Sequence, residues 1–157
     1  CSDYKRMHNL NIRIMRIFNT YGPRMRPDDG RVVSNFIVQA LEGNKMSING
    51  DGLQTRSFCY VDDLIEGMFK LMYTNLDTPV NVGNPENYTI LELAEKIRNL
   101  INPGLEFEFN PMPQDDPLQR QPNIEKAKKE LNWQPKINLD EGIRLTIDWF
   151  KSNSLQK

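Results

Sequence analysis

Three short stretches of this 157-residue sequence collect the residue types that bind anions and sugar hydroxyls. The first, "RIFNTYGPRM" (16–25), ends an apolar run on Asn19 and Thr20 and then bends through Tyr21, Gly22, Pro23 and Arg24. If that run is a parallel strand, Asn19 and Thr20 stand at its carboxyl end, where open α/β sheets place their ligands. The plain alternative is a turn in which Asn19 bonds locally, Tyr21 packs, and Gly22-Pro23 reverse the chain. The second stretch, "GDGLQTRSF" (50–58), uses a glycine-rich turn to deliver Gln54 and Arg56 to the start of a strand. A guanidinium is a planar fork matched to phosphate oxygens, although a lone arginine is also what an ordinary solvated surface carries. In the third, "QDDPLQRQPN" (114–123), Pro117 and Pro122 fence Arg120 and lower the entropy cost of holding it in place. Such a cation suits an anionic substrate, and it suits a salt bridge to Asp115 or Asp116 as well.

Other chemistry is missing. His8 is the sole histidine and lies beside Lys5 and Arg6 on an expected exposed helix end, a poor place for a general base. There is no GxGxxG or GxxGxxG, no HExxH, no paired-cysteine zinc spacing and no GxSxG. The sequence therefore holds no self-sufficient catalytic set and no metal site.

With 20 Lys and Arg against 21 Asp and Glu, no global field argues for nucleic acid or an anionic membrane. Any bound anion must be met by local cations. Cys1 and Cys59 lie far apart, which argues against a disulfide framework and suits a reducing, cytoplasmic setting. No run reaches the roughly 18 apolar residues that a membrane span needs.

The elements that must position these residues follow from periodicity. Residues 11–18 alternate well enough for a largely buried strand, and 32–43 place Val33, Phe36, Ile37 and Leu41 at helical spacing before Gly43. Two strand-like runs flank Asn49-Gly50-Asp51-Gly52, which predicts a hairpin or two strands joined by a loop. Asp62 or Asp63 can cap a helix with Leu64, Ile65, Met68, Leu71 and Met72 on one apolar face. A short buried strand in "TPVNVGNP" follows, then a helix opened by a Thr89/Glu92 capping box. "LEFEFN" predicts a strand with one wet face, "MPQDDPLQRQP" an extended loop, and two last helices are expected near 123–131 and 139–152, the second with an Asn138/Glu141 cap. Strands alternating with helices predict an α/β protein with a partly parallel sheet. "CSDYKRMHN" reads as the charged tail of a helix already under way, so a longer chain is expected before Cys1.

In order and register, "FNTYGPRM", "GRVVSNFIVQALEG", "GDGLQTRSFCYVDDL", "VNVGNPENYTILELAEKI" and "QDDPLQRQPNIEKAKKELNWQPKI" resemble the extended short-chain dehydrogenase/reductases that act on nucleotide sugars. Among them the UDP-glucuronate decarboxylase subgroup is the most similar. The resemblance implies a partial Rossmann-type parallel sheet (residues 1–22 and 58–84, the remainder of an NAD-binding domain). It also implies a small α/β substrate-binding domain (23–57 and 85–157). It implies NAD as cofactor and a UDP-sugar as substrate. The catalytic Tyr-x-x-x-Lys pair would lie in an amino-terminal half, and the full-length protein would be a homodimer.

Carried over by position, Asn19, Gln54, Arg56, Arg120 and Tyr4 would meet the nucleotide sugar, and Thr20 and Arg31 would lie near NAD. Asn49 departs from the tyrosine many relatives carry near the nucleobase, so base stacking is not expected there. The implied chemistry oxidises the sugar C4 hydroxyl to a ketone beta to the carboxylate, loses CO2, and returns the hydride. A sibling 4-epimerase or 4,6-dehydratase would share most of this pocket, and a non-catalytic nucleotide-sugar binding module is the alternative of another class.

Overall fold

The computed structural model describes residues 2–112 and 119–153, with Ser2, Gln119 and Arg120 described by their backbone alone. Cys1, Pro117 and the expected ion pair of Arg120 with Asp115 or Asp116 lie outside the described residues.

The chain opens on helix α1 (Ser2–His8), followed by strands β1 (Met15–Ile17) and β2 (Thr20–Tyr21). Helix α2 (Val32–Leu41), strands β3 (Met46–Asn49), β4 (Thr55–Ser57) and β5 (Cys59–Tyr60), and helix α3 (Val61–Met72) come next. Then follow β6 (Val80–Val82), β7 (Asn87–Thr89), α4 (Ile90–Ile101), β8 (Phe107–Asn110), β9 (Gln119–Arg120), α5 (Glu125–Leu131) and α6 (Leu139–Asn153). The strands form parallel pairs β1–β6, β2–β5 and β3–β8, and a mixed sheet ordered β7-β4-β9. This is the α/β architecture with parallel pairing that the alternation of strand and helix patterns predicts.

Two apolar clusters hold these layers. The larger packs α2, α4 and α6 around Phe36, Ile37, Met46, Ile48, Leu93, Ile97, Ile143 and Phe150. The smaller joins α3, β6 and α5 through Leu64, Leu71, Val80, Val82, Ala127 and Trp133. Gly67 makes the second cluster possible, since a β-carbon there would lie 2.7 Å from Val82 Cγ1 and 3.1 Å from the Trp133 ring.

Several expectations need correction. The strand expected over 11–18 is regular only at 15–17 and is not buried: Arg16 is exposed and Ile17 is 59 % exposed. Among the described residues β1 pairs with β6 alone, the ladder reaching back to the Ile14 carbonyl, which accepts from the Val80 amide, so its other edge is left open. No hairpin forms around Gly50; β3 pairs with β8 while β4 pairs with β7 and β9, so the loop alternative is the one realised.

Neither Asp62 nor Asp63 caps α3, whose N-cap is Tyr60 without a side-chain bond. Asp63 is instead buried, its Oδ2 accepting from the Lys136 and Ile137 amides at 3.0 and 2.9 Å. The buried stripe of α3 therefore runs through Asp63, Leu64, Gly67 and Leu71, leaving Ile65, Phe69 and Met72 exposed. On β8 the expected dry face is largely wet: Phe109 is exposed, and Phe107 is half-buried with the Arg98 guanidinium 4.4 Å from its ring centroid. Part of the expected extended loop, Gln119–Arg120, is a strand.

The Thr89/Glu92 capping box forms with both bonds in place, at 3.0 and 2.7 Å, and Asn138 caps the Glu141 amide at 2.9 Å. Cys59 is buried, and desolvation pushes its thiol up to about 12.

Candidate functional site

The strand that begins at β1 changes partners at Asn19. The Phe18 amide still donates to Val82 of β6, while the Asn19 carbonyl accepts from the Cys59 amide at 2.9 Å, beside β5. Asn19 thus stands exposed where two parallel pairs diverge, and a gap opens beyond their carboxyl ends. The turn behind it must be tight. Gly22 has φ +152°, and a β-carbon there would lie 2.5 Å from Val61 Cγ1. Tyr21 goes inward, edge-on to Phe58 and Tyr60, and burial raises its phenol above the ordinary tyrosine range. Tyr21 packs, as the plain alternative expects, and Asn19 and Thr20 line a cavity.

That cavity has a volume of about 540 Å³ and is lined, among others, by Asn19, Thr20, Arg31, Asn35, Gln54 and Arg56. A space of this size suits a small-molecule ligand. Its described lining holds two arginines and no carboxylate. An anion is what such a lining favours.

Arg56 is 8 % exposed, and its Nη1 donates to the Thr55 carbonyl at 2.8 Å. Its strand β4 is braced on one side by Tyr88 of β7 and on the other by Arg120 of β9, paired by backbone register. Gln54 precedes it at the end of the glycine turn, where Gly50 and Gly52 take φ +67° and +76°, values that glycine adopts at little cost. The Gly52 and Gln54 carbonyls accept from the Leu91 and Ile90 amides, fastening the turn to the start of α4.

Arg31 stands at the start of α2, its Nη1 directed at the Thr20 carbonyl at 3.4 Å. Tyr4 is elsewhere: it lies on α1, 64 % exposed, with its ring centroid 5.0 Å from that of His8, and it does not line the cavity. The structure thus brings Asn19, Thr20, Arg31, Gln54 and Arg56 to one space, places the Arg120 backbone beside Arg56, and leaves Tyr4 apart.

Sequence reasoning missed Asn35 and Ser47, which also line the cavity. The signal was available in β3, where Met46 and Ile48 are buried and strand alternation turns Ser47 to the other face. Gln39 holds Ser47 there, its amide bonding the Ser47 hydroxyl at 2.8 Å and the Ser47 amide at 3.1 Å.

Residues 1–89 match the model of the NAD dependent epimerase/dehydratase family. The chain belongs to that family. Its relatives include UDP-glucuronic acid decarboxylase 3 of Arabidopsis thaliana, 53 % identical over 149 residues that make up 95 % of this chain and 44 % of the relative. UDP-glucuronic acid decarboxylase 1 of Danio rerio is 49 % identical across 96 % of this chain and 36 % of its own length. This member of the epimerase/dehydratase family therefore spans less than half the length of these curated relatives.

Among solved structures it is similar to the UDP-glucuronic acid 4-epimerase of Bacillus cereus, in complex with UDP-glucuronic acid and NAD. The TM-score is 0.90 at 31 % identity, over 97 % of this chain and 49 % of that one. The UDP-glucose 4-epimerase of Thermotoga maritima with UDP-glucose gives a TM-score of 0.93 at 29 % identity, over 99 % and 50 % of the two chains. These neighbours are Rossmann-type NAD-dependent enzymes, and this epimerase/dehydratase chain shares their α/β fold with parallel strand pairing. Among the described residues no helix is long and apolar enough to cross a membrane.

Proposed function

We propose that these residues form the nucleotide-sugar-binding part of an NAD-dependent UDP-glucuronate decarboxylase, which converts UDP-glucuronate to UDP-xylose and CO2. The observation that carries the reading is the cavity: two arginines, a run of amide side chains and no carboxylate in its described lining. A diphosphate flanked by hydroxyl-bearing sugars is complementary to that set. The 49–53 % identity to UDP-glucuronic acid decarboxylases supports the choice of substrate within the family.

In this proposal Asn19 and Arg56 hold the diphosphate region, with Gln54 beside Arg56 and Arg120 at the sugar-phosphate end, while Tyr4, which lies outside the cavity, takes no part in it. Thr20 and Arg31 would hold NAD. A hydroxyl just past the carboxyl end of β1 and a guanidinium at the start of α2 fit a pyrophosphate-bearing dinucleotide in kind. NAD, when bound, supplies reversible hydride acceptance at sugar C4, so that the electrons released with CO2 have a ketone to enter. The residues of this chain bind and orient: fixed positive charge and preplaced hydrogen bonds hold the sugar in one pose while chemistry proceeds elsewhere.

The Tyr-x-x-x-Lys pair belongs, in this reading, to an amino-terminal half of the same protein. The exposed β1 residue Ile17 and the exposed apolar side chains of α3 are surfaces that such a half would cover. Residues 1–22 and 58–84 would complete its NAD-binding domain, and 23–57 with 85–157 would form the substrate domain. The active species would be a homodimer of the full-length protein. Incubating full-length protein with UDP-glucuronate and NAD and counting the carbons of the product sugar tests the proposal: five are expected.

A further inference from the structure

Asp29 has no assigned part in the cavity, yet it touches the residue that does. It lies in the turn before α2, with a side chain only 21 % exposed. Its Oδ1 accepts from the Arg31 amide at 3.0 Å and from the Ser34 hydroxyl at 2.5 Å. Ser34 is fully buried on α2 and is itself tied to the Arg31 carbonyl at 3.0 Å. The other oxygen, Oδ2, faces Arg31 Nε at 3.7 Å. Across the cavity mouth the far end of the same guanidinium is directed at the Thr20 carbonyl.

Arg31 therefore lies between an anion behind it and a carbonyl ahead of it, while its side chain is 64 % exposed. A long side chain with that much freedom has considerable rotamer entropy to lose on meeting a ligand. Holding it beforehand lowers that cost at the moment of binding. We propose that Asp29 is a positioning residue: through its two oxygens it fixes the α2 start and aims the Arg31 guanidinium across the cavity rim toward an anionic ligand.

The proposal rests on the reading that Arg31 meets a bound nucleotide, and the test separates the two. In the full-length protein, the affinities for UDP and for NAD are measured for the parent, Arg31→Ala, Asp29→Ala, Asp29→Asn and the double variants. Arg31→Ala identifies which ligand Arg31 meets. Asp29→Ala is expected to weaken that ligand about 3- to 10-fold when Arg31 is present and to change it by less than about 1.5-fold in the Arg31→Ala background, the signature of action through a partner. An equal loss in both backgrounds, or no loss in either, overturns the proposal.

Asp29→Asn keeps an Oδ1 acceptor for the Arg31 amide and Ser34 and so guards against mere unfolding. It should leave the thermal midpoint near the parent's yet release the guanidinium. That release is read without any ligand, from the 15N relaxation of Arg31 Nε, which should show an ordered side chain in the parent and a freely moving one in both Asp29 variants. If Arg31→Ala weakens neither ligand, the binding reading fails while the relaxation still decides the positioning claim. Equal order of Arg31 Nε in parent and variants overturns it.

Discussion

The side-chain nitrogen of Gln54 donates to the Asn49 carbonyl at 2.8 Å, closing the Gly50-Asp51-Gly52 turn from within. That bond leaves the amide oxygen of Gln54 buried in the cavity wall with no partner among the described residues. An unpaired buried acceptor is costly, and a ligand carrying a hydroxyl or imide proton relieves the cost.

Replacing Gln54 by Glu removes the donor to Asn49 and puts a negative charge in the wall of the proposed diphosphate site. A buried group left mismatched costs about 1–3 kcal/mol, so the KM for UDP-glucuronate in the full-length protein should rise roughly tenfold or more. Initial-rate kinetics check this, and an unchanged KM would show that the sugar nucleotide does not reach Gln54.

Tyr21 and Gly142 give a packing prediction. The Tyr21 hydroxyl is buried without a partner among the described residues, and a β-carbon on Gly142 would collide with it. Tyr21→Phe should therefore be neutral or stabilising by up to about 1 kcal/mol, because it removes an unmet hydroxyl. Gly142→Ala should destabilise by about 1–3 kcal/mol through overpacking. Urea midpoints are the readout: unchanged or raised for Tyr21→Phe and lowered for Gly142→Ala.

Much of this was legible beforehand, and the exceptions have physical causes. The Thr89/Glu92 box and the Val33, Phe36, Ile37 spacing are local signals, settled within a turn or two of helix, and both appear as expected. Strand partners are not local: nothing in "MSINGDGLQTRS" reveals that β3 and β4 each pair with a strand far along the chain. The same limit hid the depth of β1, since alternation reports which face is apolar but not what covers it. For the cavity, Asn19, Gln54 and Arg56 stood out because their neighbours are glycine and turn residues. Asn35 and Ser47 sit inside regular elements and drew no notice. Asp63 misled because an acidic residue at a helix start resembles a cap, whereas its carboxylate reaches the loop before α6.

Asp63 therefore serves as a clamp, with a falsifiable cost. Asp63→Ala leaves the Lys136 and Ile137 amides without their acceptor, a loss of about 2–4 kcal/mol for two bonds to a buried carboxylate. Chemical denaturation should show a lower midpoint with an unchanged slope, and a midpoint equal to the parent's would mean that water replaces the carboxylate freely.

The pH dependence of stability should bend downward in alkali. Burial raises the Cys59 thiol from 9.0 to about 12, so above pH 9 the unfolded chain sheds a proton that the folded chain retains. Stability is then complete below pH 9 and falls, by at most about 1.4 kcal/mol per pH unit from this group, until pH 12. Denaturation midpoints at pH 8 and 10.5 should differ, and Cys59→Ala should reduce that difference. A slope unchanged by the substitution would remove Cys59 as its source.

Full-length protein given NAD and UDP-glucuronate labelled with 13C at the carboxylate should release the label as CO2 and yield a UDP-pentose, with no net accumulation of NADH. A product sugar that keeps all six carbons and the label would contradict the account.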